Sequence, residues 1–223
     1  MSATQKLIDY IDERLGILEI VRDEMTDKQV PTHARWWDHA GFSCFGGLSL
    51  VLFIVQAITG FFLLIYYIPE PDHAFASLMF VENNVAYGWL FRRIHGIAAN
   101  LMMITVIVHM LKVFFTGAYH KPREMHWLSG FTLFLLTMGL CFSGYVLPWT
   151  QMAFWATTVV TESMQVIPYI GVGLMEFLRG GANVAGPTLG RFFMLHMVLP
   201  AVTLIFLAAH FFMIRKTGIQ EPL

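Results

Sequence analysis

Two long apolar stretches decide the fold, IHGIAANLMMITVIVHMLKVFF at 94–115 and FFMLHMVLPAVTLIFLAAHFFMI at 192–214. Each contains two histidines fourteen residues apart: His95 and His109, then His196 and His210. On an α-helix, fourteen steps of about 100° and about 1.5 Å return to within roughly 40° of the same face and climb roughly 21 Å. Each helix therefore carries one imidazole at each of two levels on a single side.

The composition places these helices in a membrane. The chain has 223 residues, of which 57% are hydrophobic and 15% aromatic, and a mean hydropathy of +0.61. A bilayer core is about 30 Å thick, so both histidine levels fit inside it. Ionisable residues are rare at that depth and usually functional. The pattern indicates two bis-histidine metal or haem sites stacked across a membrane, while a net charge of −1 gives no basic surface for nucleic acid.

The apolar runs predict an all-α membrane protein with a single domain over 1–223. Four membrane-spanning helices, A to D, are expected at about 41–68, 94–115, 127–147 and 191–214. Residues 4–25 have the pattern of an amphipathic helix, lying on the membrane surface or against a partner subunit. Residues 69–93 are expected to form a polar loop, and 150–190 two short helices on one membrane face. Pro200 is expected to kink helix D.

Lysine and arginine predict the orientation. They concentrate in the N-terminal segment, the turn between helices B and C, and the tail, and the opposite loops hold only Arg92, Arg93, Arg179 and Arg191. The positive-inside rule places both termini on the cytoplasmic or equivalent side, the n side. Helices B and D then both run from the opposite p side to the n side. His95 therefore shares its depth with His196, and His109 shares its depth with His210.

Glycines in the other two helices follow the same interval. They are fourteen residues apart in both helices: Gly46 and Gly60 in helix A, Gly130 and Gly144 in helix C. Missing side chains at these depths leave slots in which a flat macrocycle can approach the backbone. A single such glycine would be explained by tight helix packing, and a lone buried histidine by packing or a proton relay. The matched pairs favour haem, and an iron with two histidine ligands carries electrons because no axial position is open.

Cations and cysteines add two further expectations. Four basic residues bracket the histidines near the membrane edges and are candidate partners of haem propionates, although snorkelling explains each one as well: Arg92, Lys112, Arg191 and Arg215. Cys44 and Cys141 lack any CxxC or CxxCH context, so neither a zinc site nor a two-thioether haem attachment is indicated. Their different depths exclude a disulfide between them.

Several motifs together resemble the cytochrome b6-type subunit, the split N-terminal half of cytochrome b, in quinol:cytochrome c or plastocyanin oxidoreductases. These are CFGGLSL, HKPRE, GYVLPW, HFFMIRKTGI and the two spaced histidine pairs, which cover nearly the whole chain. The resemblance implies a p-side b haem on His95 and His196 and an n-side b haem on His109 and His210. It also implies a subunit of an oxidoreductase complex rather than an enzyme alone.

The resemblance implies a reaction and a set of partners. Quinol would be oxidised near the p side, against a pocket wall formed by Tyr145, Pro148, Trp149 and Phe154. One electron would pass through a Rieske iron–sulfur protein to a c-type cytochrome, and the other would cross both haems to quinone on the n side, coupled to proton translocation. A separate chain similar to subunit IV would carry the PEWY motif that this sequence lacks. The assembly would be a dimeric complex in membrane lipid.

The resemblance also implies a role for Cys44. Taken alone, a buried cysteine is usually a small hydrophobe. SCFGG, however, matches the place where related subunits attach an extra c-type haem through one thioether beside the n-side b haem. The resemblance therefore implies a third, covalently held haem on Cys44.

The sequence departs from the chloroplast-type pattern at two points, and the first bears on the kind of membrane in which the protein is expected. Those members space the helix D histidines one residue wider, which indicates a bacterial cytoplasmic membrane here rather than a thylakoid. Thr150 stands where they have aspartate, so a role for that carboxylate is in doubt.

Two other functions explain part of the pattern. A dihaem cytochrome that anchors a quinone-linked dehydrogenase or hydrogenase would have the histidines but not GYVLPW or HKPRE. A transporter with a histidine proton relay would be colourless.

Overall fold

The computed structural model describes residues 45–218, and this part of the chain is helical throughout its regular structure. In chain order the helices are α1 (Phe45–Leu64), α2 (Ala74–Asn84), α3 (Gly88–Phe115), α4 (Glu124–Val146), α5 (Gln151–Ser163), a 3₁₀ turn (Met164–Val166), α6 (Gly171–Arg179) and α7 (Gly186–Thr217). The amphipathic helix expected at 4–25 and the haem attachment expected at Cys44 lie outside the described residues.

Four helices are long and apolar enough to cross a membrane, namely α1, α3, α4 and α7. Large apolar side chains point outward from them, for example Phe61, which is 70% exposed, and Ile205, which is 69% exposed. Such outward surfaces are stable only in contact with lipid or other subunits. The predicted all-α fold with four membrane-spanning helices is confirmed.

Two of the spanning helices begin earlier than expected. Helix α3 starts at Gly88 and helix α7 at Gly186, in each case more than one turn before the predicted apolar run. Pro187 suits the first turn of α7, since its ring fixes a helical φ where no hydrogen-bonded N–H is needed. Helix α7 continues through Pro200 to Thr217.

The expectation of a polar loop at 69–93 was wrong, because helix α2 lies within it. Its buried residues follow helical spacing: Ala74, Ser77, Leu78 and Val81. The next helix starts against this face, where a Cβ on Gly88 would lie 2.0 Å from the carbonyl oxygen of Val81. Glycine is therefore required at this corner.

The spanning helices form two pairs. In the described part of the chain the most extensive helix contacts join α1 to α3 and α4 to α7, whereas α3 and α4 meet much less. Each pair contributes one histidine-bearing helix, α3 or α7. The space between the two pairs, called here the inter-pair gap, is therefore bordered by histidines from both sides.

Short helices cover one end of the bundle, called here the capped end. Helix α2 joins α1 to α3, while α5 and α6 lie between α4 and α7, which confirms the two short helices expected before helix D. The hydroxyl of Tyr67, just after α1, donates to the carbonyl oxygen of Leu147 at 2.6 Å. Burial raises the pKa of Tyr67 above its ordinary value, so the phenol remains a donor at this junction.

A buried arginine fastens the short helices to α7. Arg179 donates from Nε to Thr161 Oγ1 at 2.7 Å and from Nη2 to Glu162 Oε2 at 2.6 Å. Its carbonyl oxygen accepts from Thr188 Oγ1 at 2.6 Å. The hydrogen bond from Arg179 holds the pKa of Glu162 below its ordinary value, so this carboxylate stays charged. These hydrogen bonds hold α5, α6 and α7 together at the capped end.

Candidate functional site: two facing histidine pairs

At the capped end, His95 of α3 and His196 of α7 face each other across the inter-pair gap. Their ring centroids are 6.4 Å apart and the ring planes meet at 76°. Two imidazoles on opposite sides of one metal would have centroids about 6.4 Å apart, given metal–nitrogen bonds of about 2 Å and roughly 1.2 Å from nitrogen to ring centre. The observed separation suits a shared metal.

The second pair lies at the opposite end of the same helices. His109 and His210 are close enough to interact electrostatically. A third imidazole, that of His126 in α4, lies 6.5 Å from the His210 ring between centroids. Groups of three or more potential metal-ligating side chains are absent between residues 45 and 218. Two protein ligands per site suit a metal whose other ligands come from a macrocycle.

Each of the four predicted glycines faces one imidazole at the predicted depth. At the capped end, a Cβ placed on Gly60 would lie 3.1 Å from His95 Cε1, and one placed on Gly144 would lie 2.8 Å from His196 Cε1. At the other end, a Cβ on Gly46 would lie 3.0 Å from His109 Cε1, and one on Gly130 would lie 3.5 Å from His210 Cε1. Helices α1 and α4 therefore supply the cradle, and α3 and α7 supply the rings. The space left by each glycine is directly against a ring.

Three hydroxyl groups hold the rings, and sequence reasoning missed all three. The Nδ1 atoms of three histidines lie within hydrogen-bond distance of a serine or threonine: Thr59 with His95 at 2.8 Å, Ser143 with His196 at 3.0 Å, and Ser129 with His210 at 2.7 Å. Each hydroxyl residue directly precedes one of the facing glycines. That Ser/Thr-Gly dipeptide is the sequence signal that could have found them.

The hydroxyls also favour one tautomer of the rings. Each donates its own hydrogen to a carbonyl of its helix: Thr59 to Val55 at 2.7 Å, Ser129 to His126 at 3.0 Å and Ser143 to Leu140 at 3.2 Å. With that hydrogen directed to the carbonyl, the hydroxyl oxygen is placed to accept from Nδ1–H of the imidazole. A neutral ring protonated at Nδ1 has a free lone pair at Nε2, which is the form that binds a metal.

His109 is the exception. Its Nδ1 is buried and has no hydrogen-bond partner among the described residues. The residue before its facing glycine, Gly46, is Phe45, which has no hydroxyl.

The four cations proposed for propionates lie near the ends of the histidine helices, in different situations. Arg92 forms a hydrogen-bonded ion pair with Glu82 of α2, so its charge is already engaged. The Arg191 guanidinium lies 5.4 Å from the Phe177 ring centre, and its Nη1 is buried without a partner in the described part of the chain. Lys112 and Arg215 lie in the last turns of α3 and α7.

The residues expected to line a quinol pocket lie where α4 turns into α5. Tyr145 is 45% exposed, and the rings of Trp149 and Phe154 meet nearly perpendicularly with centroids 6.0 Å apart. Thr150 caps α5, since its Oγ1 accepts from the Ala153 N–H at 3.2 Å. A threonine therefore supplies the capping acceptor that aspartate would supply at this position.

The comparisons with known proteins agree with this geometry. The family model described as cytochrome b/b6/petB matches residues 25–218. The chain belongs to the cytochrome b/b6 family. It is 42% identical over 217 residues to the cytochrome b6 of Heliobacterium mobile, covering 97% of this chain and 100% of that one. It is also 42% identical over 219 residues to the cytochrome b6 of Cyanidium caldarium, covering 98% and 99%.

A solved structure supports the fold. The structure described as hyperthermophilic respiratory Complex III superposes with a TM-score of 0.81 and 33% sequence identity. The alignment covers 96% of this chain and 56% of that chain, so this chain spans about half the length of that relative.

As a member of the cytochrome b/b6 family, the chain is a membrane-embedded dihaem subunit of a quinol oxidoreductase and part of a multi-subunit bc-type complex. The alternative of a dehydrogenase or hydrogenase anchor is not favoured. The residues present fit two haems, because imidazole donors with free Nε2 atoms face each other over cradles that a Cβ would fill.

Proposed function

We propose that His95 and His196 ligate a p-side haem, that His109 and His210 ligate an n-side haem, and that the chain carries electrons from quinol to quinone across the membrane. The facing of His95 and His196 across the inter-pair gap, and the glycine that lies against each of the four rings, support this most directly. Along each helix the two levels are separated by roughly 21 Å, which spans most of the low-dielectric layer.

The side chains bind and orient, while the cofactor supplies the chemistry. When bound, each haem iron supplies reversible one-electron oxidation and reduction. The paired imidazoles would be the protein ligands of each iron and would leave no coordination position open to oxygen or substrate. Thr59, Ser129 and Ser143 hold three rings in the ligating tautomer. The haem propionates would pair with Arg191, Lys112 and Arg215. Arg92 would pair with a propionate if it gave up its ion pair with Glu82.

Quinol would be oxidised at the capped end. Tyr145, Pro148, Trp149 and Phe154 are proposed to form one wall of that pocket, at the turn between α4 and α5. The rest would come from a partner chain similar to subunit IV. A Rieske iron–sulfur protein and a c-type cytochrome would take the first electron, in a dimeric complex. The whole chain, 1–223, would form one cytochrome b N-terminal-type domain.

The proposed location is a bacterial cytoplasmic membrane with both termini on the n side. The excess of lysine and arginine in the terminal segments and in the turn between α3 and α4 supports this orientation. The capped end then lies on the p side.

The proposed function predicts two b-type haems per chain. Complex purified in mild detergent should show two reducible b-type components, both reduced on addition of quinol, and a haem-to-chain ratio of about two by extraction of non-covalent haem. A colourless preparation would favour the histidine proton relay. Co-purification of an iron–sulfur protein of the Rieske type would separate this function from a dehydrogenase anchor.

We further propose that Cys44 holds a c-type haem through one thioether, beside the n-side b haem. Its neighbour in sequence supports this, because Gly46 lies against the His109 ring at that end of the bundle. This haem would relay electrons between the n-side b haem and quinone.

Covalent attachment at Cys44 predicts haem that survives denaturation. Denaturing electrophoresis with a haem stain should show a stained band at the mass of this chain, and intact mass should exceed the sequence mass by one haem. Cys44→Ser should abolish the stain, whereas Cys141→Ser, which changes the other cysteine, should retain it. An unmodified wild-type mass with both b haems present would return Cys44 to a packing role.

A further inference from the structure

The four ring-holding positions of the bundle are not equivalent. Three of the four facing glycines follow a hydroxyl residue that accepts a hydrogen bond from a histidine Nδ1: Thr59-Gly60, Ser129-Gly130 and Ser143-Gly144. The fourth dipeptide is Phe45-Gly46, which faces His109. The same backbone position therefore carries an apolar ring in place of an oxygen.

The distance from the glycine to the ring at the fourth position resembles that at Gly144. A Cβ on Gly46 would lie 3.3 Å from His109 Nδ1, comparable to the 3.4 Å between a Cβ on Gly144 and His196 Nδ1. Ser49, the nearest hydroxyl residue along α1, lies within hydrogen-bond distance of Thr105 Oγ1 at 2.9 Å and of the Phe45 carbonyl oxygen at 2.8 Å, so its single hydrogen is directed to one of these two. His109 Nδ1 has no partner within residues 45–218.

An Nδ1–H hydrogen bond changes how strongly an imidazole donates electrons to a metal. Drawing the proton toward an acceptor gives the ring partial imidazolate character and makes Nε2 more basic. A more basic axial ligand stabilises the oxidised iron more than the reduced iron and lowers the reduction potential. A ring without that acceptor is the weaker donor and leaves the potential higher.

We propose that Phe45, by withholding a hydroxyl acceptor from His109, raises the reduction potential of the n-side haem above the value that its other surroundings would give. Phe45 acts through His109 and is a tuning residue, not a ligand. At the p-side site both rings have their hydroxyl, whereas at the n-side site only His210 has one. The asymmetry favours electron flow from p side to n side. This inference rests on the proposed dihaem function.

The test is a redox titration of the b-haem absorbance in the assembled complex, with the two components assigned by single-histidine variants. Phe45→Thr adds the hydroxyl that the other positions have, and should shift the n-side component to lower potential while the p-side component stays in place. Phe45→Leu is the matched control, because it removes the ring without adding an acceptor, and its n-side potential should stay near wild type.

The reciprocal variants test the same rule from the other direction. Ser129→Ala should shift the n-side component upward and Ser129→Thr should restore it, whereas Ser143→Ala should shift only the p-side component upward. These variants decide the question if Phe45→Thr loses its haem. Equal shifts in Phe45→Thr and Phe45→Leu, or unchanged potentials in both serine-to-alanine variants, would overturn the inference. A wild-type complex without two b components would instead overturn the proposed function.

Discussion

Replacing either His95 or His196 with alanine removes one of the two b-type spectral components, and replacing either His109 or His210 removes the other. The expected loss is one haem of two in each variant, because an iron held by two imidazoles loses half of its protein ligands with one substitution. Reduced-minus-oxidised spectra of membranes, together with haem-to-chain ratios, measure the loss.

Two other histidines serve as controls for this set. His73 lies exposed near the capped end and His120 lies exposed in the turn at the opposite end. Alanine at either position should leave both components intact. Depletion of the same component by His95→Ala and His210→Ala would show that the depth pairing is wrong.

The depth pairing could be predicted because residue spacing and the direction of each helix together determine it. Fourteen residues set the vertical interval, and the distribution of charged residues sets the direction of each helix. The structure shows His95 and His196 facing each other. It also places Gly60 and Gly144 against those two rings and Gly46 and Gly130 against the other two.

The hydroxyl contacts could not be predicted in the same way, because they depend on how each helix is rotated about its axis. Spacing places Thr59 one step before Gly60, but only the packed pair of α1 and α3 brings its oxygen within 2.8 Å of His95 Nδ1. Rotation is set by the sum of many side-chain contacts rather than by any one residue. The absence of an acceptor for His109 Nδ1 among residues 45–218 depends on helix rotation in the same way.

The ion pair between Arg92 and Glu82 also could not be predicted from the sequence. A basic residue three positions before a ligand histidine predicts a propionate contact when the preceding segment is taken as a loop. Because that segment folds as α2, Glu82 is brought to Arg92 and forms an ion pair with it. The buried spacing of Leu78 and Val81 was the signal for this helix.

Leucine in place of a facing glycine is expected to prevent haem assembly at one level only. Gly144→Leu should nearly abolish the p-side component, since a Cβ there already lies 2.8 Å from His196 Cε1, and Gly46→Leu should act likewise on the n-side component, at 3.0 Å from His109. Gly60→Leu should affect the p side, and Gly130→Leu should be the mildest, because its Cβ would lie 3.5 Å from His210.

Two glycines of the histidine helices provide the matched control. A Cβ on Gly96 or Gly190 would meet nothing within 4 Å in the described structure, so leucine at either should leave both haems in place. Replacing a helical glycine by a better helix former stabilises the helix by about 1 kcal/mol. Loss of haem in the Gly144 and Gly46 variants therefore cannot come from helix propensity and must come from the occupied space. Normal haem content in all four facing-glycine variants would reduce these glycines to helix packing, and would show that the rings can move away from α1 and α4 without losing the metal.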